Sequence, residues 1–300
     1  MPDSHFTKPM DPDPLIDMQN PSTWKLTPAT SGYRIQPFFE DQPYSSLDEV
    51  SLHLPNGVYT TFRTYFHSKA LRLGEHLNRL NESAQRDSRS IRIDPDEVRA
   101  SIRAILERLA VGDYRIRLTL DLVQEPGWIY LSADQLHTPS QDEYTQGVKM
   151  ITRVMHRENP KAKLTGFIRD AHQIRQQLPT GINEVLMVRG DGMVLEGLSS
   201  NFFGIRAGLL LTSGEGVLAG ITRAVLLDVS RESGIGINFD GIFLSNISEL
   251  DEGFITSASR AVLPVVQIDQ TRIGTGQPGP ITRQLMAQFQ ERIELEIQKI

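Results

Sequence analysis

The sequence predicts an α+β fold of two domains with mixed sheets, and three observations carry that expectation. Hairpin signals outnumber strand–helix–strand alternations, which argues against a doubly wound parallel sheet. A chain of 300 residues fits two domains at the usual ~100–200 residues each. With 39% hydrophobic and 23% charged residues, it has the composition of a globular protein able to bury a sizeable core. The expected division is a flexible arm over 1–31, a small α/β domain over 32–138 and a larger domain over 139–300.

The arm is proline-rich and lacks apolar periodicity. Residues 33–39 and 58–66 are rich in β-branched and aromatic side chains and read as strands, the second preceded by the turn pair Asn56-Gly57. Residues 73–85 have a helical pattern. Asp94-Pro95-Asp96-Glu97 is a helix start: Asp94 is the N-cap, Pro95 the first helical residue and Glu97 lies three positions on. Val98, Ile102, Ile105, Leu106 and Leu109 then form an apolar stripe. Over 115–123, Ile116, Leu118, Leu120 and Leu122 share one face of a strand while Arg117, Thr119 and Asp121 share the other. A strand over 128–133 leads to a polar linker at 137–146. Strands follow over 147–157 and 184–195, the latter folded at Asp191-Gly192, and a hairpin over 201–211 turns at Arg206-Ala207-Gly208. Helices close the pattern at 222–232 and 280–294.

Several function classes are excluded by composition. No run approaches the roughly 18–20 apolar residues of a bilayer span, and residues 1–14 have no apolar core of a secretory signal. The absence of cysteine excludes disulfides, iron–sulfur clusters, thiolate zinc sites and a cysteine nucleophile. Thirty-one basic against 37 acidic residues give a net charge of −6, the wrong sign for a dedicated nucleic-acid binder. The seven histidines lack metal-ligand spacing, so no metal is expected. Residues 274–279 match G-x-G-x-x-G by letter, but no strand precedes them and only 21 residues follow Gly279. They read as a turn before the last helix rather than a dinucleotide site. The chain reads as a soluble, cytoplasmic protein.

Four segments carry chemistry: Glu75-His76-Leu77-Asn78-Arg79-Leu80, Lys163-Leu164-Thr165-Gly166-Phe167-Ile168, Glu196-Gly197-Leu198-Ser199-Ser200-Asn201-Phe202-Phe203 and Leu218-Ala219-Gly220-Ile221-Thr222-Arg223. Lys163 lies 33 residues before Glu196. With this order and spacing, and with Asp251–Ser257 downstream, the sequence resembles the class IV aminotransferases. These are the fold-type IV pyridoxal phosphate enzymes, which include branched-chain aminotransferase, D-amino acid aminotransferase and aminodeoxychorismate lyase. The resemblance runs from about Gly57 to Pro280.

What it implies agrees with the chemistry of the residues. A lysine amine forms a Schiff base with the cofactor aldehyde and later shuttles a proton, and burial lowers a lysine pKa enough to keep the amine nucleophilic. Lys163 takes that role; Lys161 is the runner-up, two residues too far from Glu196. Glu196 faces the pyridine nitrogen, and Asn201 belongs to the same cofactor-binding motif. The phosphate falls to the N–H groups of Ile221 and Thr222 where a helix begins, to Arg79, and to Ser257 and Ser259. Relatives carry a phosphate-binding threonine where this chain has Ala258, a tyrosine where it has Ile168, and an acid where Tyr59 is followed by Thr60-Thr61. For the substrate carboxylate Arg117 is favoured, 38 residues after Arg79, with Arg260 as its rival and Tyr59 as a hydrogen-bond donor. The implied activity moves an amino group between an amino acid and a 2-oxo acid in a homodimer, with no nucleic-acid or membrane partner. A lyase of the aminodeoxychorismate type, using the same lysine and cofactor, is the alternative.

Overall fold

Alternating apolar residues build the first sheet of the protein, seen in a computed structural model that describes residue 16 and residues 20–39, 43–87 and 90–300. Its strands are β1 (Ser22–Pro28), β2 (Tyr33–Phe38), β3 (Gly57–Tyr65), β4 (Lys69–Leu71), β5 (Tyr114–Asp121) and β6 (Ile129–Gln135), in spatial order β4-β3-β5-β6-β1-β2 and antiparallel throughout. Three helices accompany them: α1 (Leu47–Leu52), α2 (Leu73–Arg86) and α3 (Pro95–Leu106). Asp94 caps α3 by accepting from the Asp96 and Glu97 amides, with Pro95 at the first helical position. Leu77, Leu80, Ile102 and Ile105 from α2 and α3 pack on Phe62, Ile116, Leu118 and Leu120 of the sheet.

The arm expectation is corrected here. Within 1–31, residues 22–28 form β1, which pairs with both β2 and β6, and its Trp24 and Leu26 are buried in the core. Residues 1–15 and 17–19 lie outside the described residues. The linker at 137–146 also proves partly helical. Gln141–Gln146 forms α4, held by a reciprocal capping box between Ser140 and Glu143.

The second sheet contains β7 (Val148–Val154), β8 (Glu184–Val188), β9 (Met193–Gly197), β10 (Asn201–Arg206), β11 (Leu209–Leu211), β12 (Ile237–Asn238), β13 (Ile242–Phe243), β14 (Glu252–Ser257), β15 (Ala261–Ile268) and β16 (Thr271–Arg272). It is mixed: β7 lies parallel to β8 and β15, and most other neighbours run antiparallel. The pairing of Asn201 with Glu196 joins β10 to β9 and closes β10-β14-β15-β7-β8-β9 into a ring. Helix α5 (Gly166–Gln176) follows the lysine segment, and α6 (Ile221–Glu232) and α7 (Pro280–Glu296) cover one face through Phe203, Phe254, Leu226 and Phe289. The chain then returns to the first sheet: β17 (Ile297–Lys299) pairs with β4, and Ile300 is buried in the first core. The expected boundary that gave all of 139–300 to one unit therefore misses its last residues.

Candidate active site

Residues 163–165 belong to the connection after β7, yet they lie along the start of β3. The Tyr59 amide donates to the Lys163 carbonyl (2.9 Å), the Thr165 amide to the Gly57 carbonyl (2.9 Å), and the Gly57 amide to Thr165 Oγ1 (2.9 Å). This pairing brings a segment of the second sheet onto the first and sets Lys163 in a cavity of about 540 Å³ between them. Its Nζ lies 4.7 Å from the centroid of the Tyr59 ring. Burial, reinforced by the charges of Arg79 and Arg157, holds the amine well below the ordinary lysine value. Lys161 is exposed, and its carbonyl accepts from Arg86 instead.

Glu196, at the end of β9, is buried in the same cavity. Its Oε1 accepts from Arg157 Nε (2.7 Å), and Oε2 accepts from Asn201 Nδ2 (3.0 Å) and from the Leu218 amide (3.1 Å). Burial pushes its carboxyl up, while Arg157 and the Leu218 amide favour the charged form. Arg157 stacks its guanidinium 3.6 Å from the Phe167 ring centroid, and its Nη1 is buried without a partner. No motif pointed to Arg157. Six positions before Lys163 in a polar stretch, it acquires a role only when the chain leaving β7 passes the end of β9.

At the other end of the cavity, α6 begins at Ile221 after Gly220, and the first amides of a helix have no partner within it. A Cβ on Gly220 would lie 2.3 Å from Asn201 Oδ1, so this turn is close-packed against β10. Across from it, Arg79 Nη2 donates to Thr60 Oγ1 (2.8 Å) and approaches His76 Nδ1 (3.3 Å), which is itself 2.9 Å from Thr60 Oγ1. Burial keeps His76 well below its ordinary value, hence neutral, and lowers Arg79 to about 10. Arg79 Nε is buried without a partner. Ser257, Ala258 and Ser259 line the same end.

The substrate-side arginines differ from the expectation. Arg117 is buried, and each of its nitrogens already has a protein acceptor: Nε reaches Thr61 Oγ1 (3.2 Å), Nη1 the Leu47 carbonyl (2.9 Å) and Ser51 Oγ (2.7 Å), and Nη2 Asp48 Oδ1 (2.7 Å). It fastens α1 to β5. Arg260 is similarly engaged, with Ser257, Asn183, Ser199 and Glu184. Two arginines not foreseen are less committed. Arg115 bonds Asp134 (3.2 Å) and Arg175 bonds Asp48 (2.5 Å), each side chain is about 30% exposed, and both line the cavity. Asp48 thus bridges Arg117 and Arg175. Burial opposes its charge, but the two arginines outweigh that and hold its carboxyl far below the usual range. Tyr59 lines the cavity between the two groups, 4.7 Å from Lys163 Nζ and 5.2 Å from Arg117 Cζ, and Ile168 is a further lining residue.

A planar, phosphorylated aldehyde cofactor fits this donor set. A lysine amine whose charged form burial disfavours shares the cavity with a buried carboxylate, the start of α6 and the half-buried Arg79. Among the residues lining the cavity, the buried guanidinium nitrogens Arg79 Nε and Arg157 Nη1 lack an acceptor. Among the described residues no group of histidines and acids is arranged to hold a metal.

Comparison with known proteins agrees. The family model for amino-transferase class IV matches residues 57–268, and the chain belongs to that family. A putative branched-chain-amino-acid aminotransferase of Methanocaldococcus jannaschii is 29% identical over 256 residues, 79% of this chain and 86% of that protein. A D-alanine aminotransferase of Listeria monocytogenes is 28% identical over 276 residues, 84% and 94% of the two chains. The crystal structure of a putative branched-chain amino acid aminotransferase from Thermotoga maritima superposes with a TM-score of 0.75 at 25% identity, covering 91% of this chain and 96% of that one. A fold IV-transaminase from Curtobacterium pusillum has the same fold, at a TM-score of 0.74 and 20% identity over 92% of this chain and 99% of its own. The reaction class is pyridoxal phosphate-dependent transamination.

Proposed function

We infer that this class IV aminotransferase holds pyridoxal phosphate on Lys163 and takes an amino acid as donor and a 2-oxo acid as acceptor. The observation that carries the reading is the Lys163 amine set in the same cavity as Glu196, where burial and two arginines disfavour its charged form. When bound, the cofactor supplies an electron sink for the substrate Cα–H bond. Lys163, once freed by the incoming donor, accepts the proton from Cα and returns it on the cofactor side, which requires an amine uncharged at neutral pH. Glu196, braced by Arg157, Asn201 and the Leu218 amide, keeps the pyridine nitrogen protonated. Arg79, the Ile221 and Thr222 amides, Ser257 and Ser259 take the phosphate. The neutral His76 and Thr60 hold Arg79 in place without adding a competing charge.

The donor's carboxylate needs cationic partners in a largely enclosed pocket. Arg115 and Arg175 fill that role better than Arg117 or Arg260 because they keep donors to spare, and Tyr59 adds a hydroxyl on the lysine side. Supplying an amino acid without any 2-oxo acid tests the reading: the enzyme stops after one equivalent of oxo acid per site. Continuous turnover would indicate a lyase.

Three further statements belong to the proposal. The chain divides into two lobes near 138/139, with the C-terminal strand crossing back to the first. It works as a homodimer, as the family resemblance implies; a fully active monomer in sedimentation would contradict this. It resides in the cytoplasm, a location consistent with a chain free of cysteine; recovery in a membrane or secreted fraction would contradict that. No described helix is long and apolar enough to cross a membrane.

A further inference from the structure

Behind the cavity wall lies a buried carboxylate that the reaction does not use. Glu184, the first residue of β8, is 2% exposed. Its Oε1 accepts from the Ser199 amide (2.7 Å) and Ser199 Oγ (2.8 Å), and its Oε2 from Ser200 Oγ (2.6 Å) and Arg260 Nη2 (2.9 Å). The same Arg260 donates through Nε to Ser257 Oγ (3.1 Å), through Nη1 to Asn183 Oδ1 (3.2 Å) and through Nη2 to Ser199 Oγ (2.8 Å), and its amide reaches Ser257 Oγ (3.3 Å). Burial opposes the Glu184 charge, but Arg260, Arg175 and the two serines outweigh it and hold the carboxyl below its ordinary value.

The position matters more than the strength. Residues 198–200 form the turn that leaves Glu196, and residues 257–260 form the turn between β14 and β15 beside it, where Asn201 pairs with Thr256; both turns line the cavity. Gly197, directly after Glu196, is where the carboxylate passes closest: a Cβ there would stand 2.8 Å from Glu184 Oε2 and 2.3 Å from Ser200 Oγ. A glycine is therefore required for the carboxylate to sit against this strand. One buried acid is bonded directly to the first turn and, through a single guanidinium, to the second.

We propose that Glu184 and Arg260 form a buried strut that fixes the turn after Glu196 against the turn bearing Ser257 and Ser259, so that both are positioning residues for the cofactor. The proposal rests on the cofactor reading above, with Glu196 at the ring nitrogen and the 257–259 turn at the phosphate. The strut holds Ser257 through Arg260 and holds the turn after Glu196 through the two serines. Loosening it moves the phosphate turn relative to the ring site. It also explains why Arg260 is spent on the protein rather than on substrate.

The test uses the full-length holoenzyme, stripped of cofactor and titrated by absorbance with pyridoxal phosphate and, separately, with pyridoxal, which lacks the phosphate. Glu184→Gln keeps the shape and removes the charge facing Arg260. It is expected to weaken pyridoxal phosphate by roughly 10–100-fold, the usual scale for losing a residue that orients a ligand-bearing one, and pyridoxal much less. Combining it with Arg260→Gln gives two amides able to bond each other, and part of the loss returns. Should Glu184→Gln fail to fold, Glu184→Asp retains the charge, shortens the reach by one methylene and is read by the same ratio. Equal losses for both ligands, an unchanged ratio, or losses in the double variant that simply add would overturn the strut. If wild type takes up pyridoxal phosphate normally while the variants keep its ratio, the strut alone fails; if wild type takes up neither ligand, the cofactor reading fails with it.

Discussion

The floor of the cavity and its substrate-side wall are built by opposite means. On the floor, Lys163 sits on the segment that pairs with β3, while Glu196, Asn201 and the turn before α6 lie close in sequence around the junction of β9 and β10. Their polar atoms are buried and bonded at short range, as with Glu196 to Arg157 (2.7 Å), Asn201 (3.0 Å) and the Leu218 amide (3.1 Å). On the wall, Asp48, Arg115, Arg117 and Arg175 come from α1, β5 and α5, and they are joined by ion pairs between residues up to 127 positions apart. A rigid cofactor presents the same three groups to any protein that holds it, so its contacts demand fixed local spacing. A variable substrate makes no such demand, and the wall is assembled from whichever distant residues the fold brings together.

The strongest break of the comparison is on the floor. Lys163→Ala is expected to remove transamination, with roughly 10²–10⁴-fold lost from proton transfer alone and the covalent attachment lost in addition. Steady-state assays and the absorbance of the bound cofactor measure both; retention of either at near wild-type level would place the chemistry elsewhere. Next in size, Glu196→Ala leaves Arg157 buried without its partner, at a cost of about 3–5 kcal/mol of stability. Denaturant unfolding measures it, and the loss should be largely absent when Arg157→Met is combined with Glu196→Ala.

The wall separates stability from recognition. Arg117→Ala is expected to destabilise the protein by about 3–5 kcal/mol, because it removes one of the two arginines that pair with the largely buried Asp48 and one of the side-chain donors to the Leu47 carbonyl, and to lower activity on amino acids and simple amines alike. Arg175→Ala or Arg115→Ala should instead weaken kcat/KM for amino acids by roughly 1.5–3 kcal/mol, the range for hydrogen bonds to a charged group, with simple amines little changed. A reversed pattern would return the carboxylate to Arg117.

The smallest effect is a pH dependence. The folded value of Asp48 lies below its unfolded one, so the group contributes stability above the ordinary aspartate value near about 4. That contribution fades as pH falls from there toward the folded value, where the carboxylate is protonated in both states. Asp48→Asn should therefore be less stable than wild type at neutral pH, and the gap should narrow on acidification. A gap constant with pH would mean that Asp48 acts through shape alone.

This contrast also explains what the sequence revealed. The strands over 33–39 and 58–66, the α3 cap at Asp94 and the hairpin at Asp191-Gly192 were legible because alternation, capping and turn chemistry are local signals. The motif residues around Lys163, Glu196 and Ile221 were legible through their spacing. Residues 22–28 were not, because a short strand among prolines is held in place by tertiary pairing on both sides, with β2 and β6. Arg157 and Glu184 were not, because nothing in a single arginine or glutamate announces that it will be buried. The protein partners of Arg117 were hidden for a related reason. Strand alternation set it on the polar face, but only the fold reveals that α1 supplies Asp48, Ser51 and the Leu47 carbonyl to meet it there.

The central claim is that Lys163 is the residue carrying the cofactor. Borohydride reduction of the holoenzyme, followed by proteolysis and mass mapping, tests it most directly. The account predicts a pyridoxyl group on the peptide containing Lys163 and on no other lysine. A label on Lys161, or on no lysine at all, would contradict it.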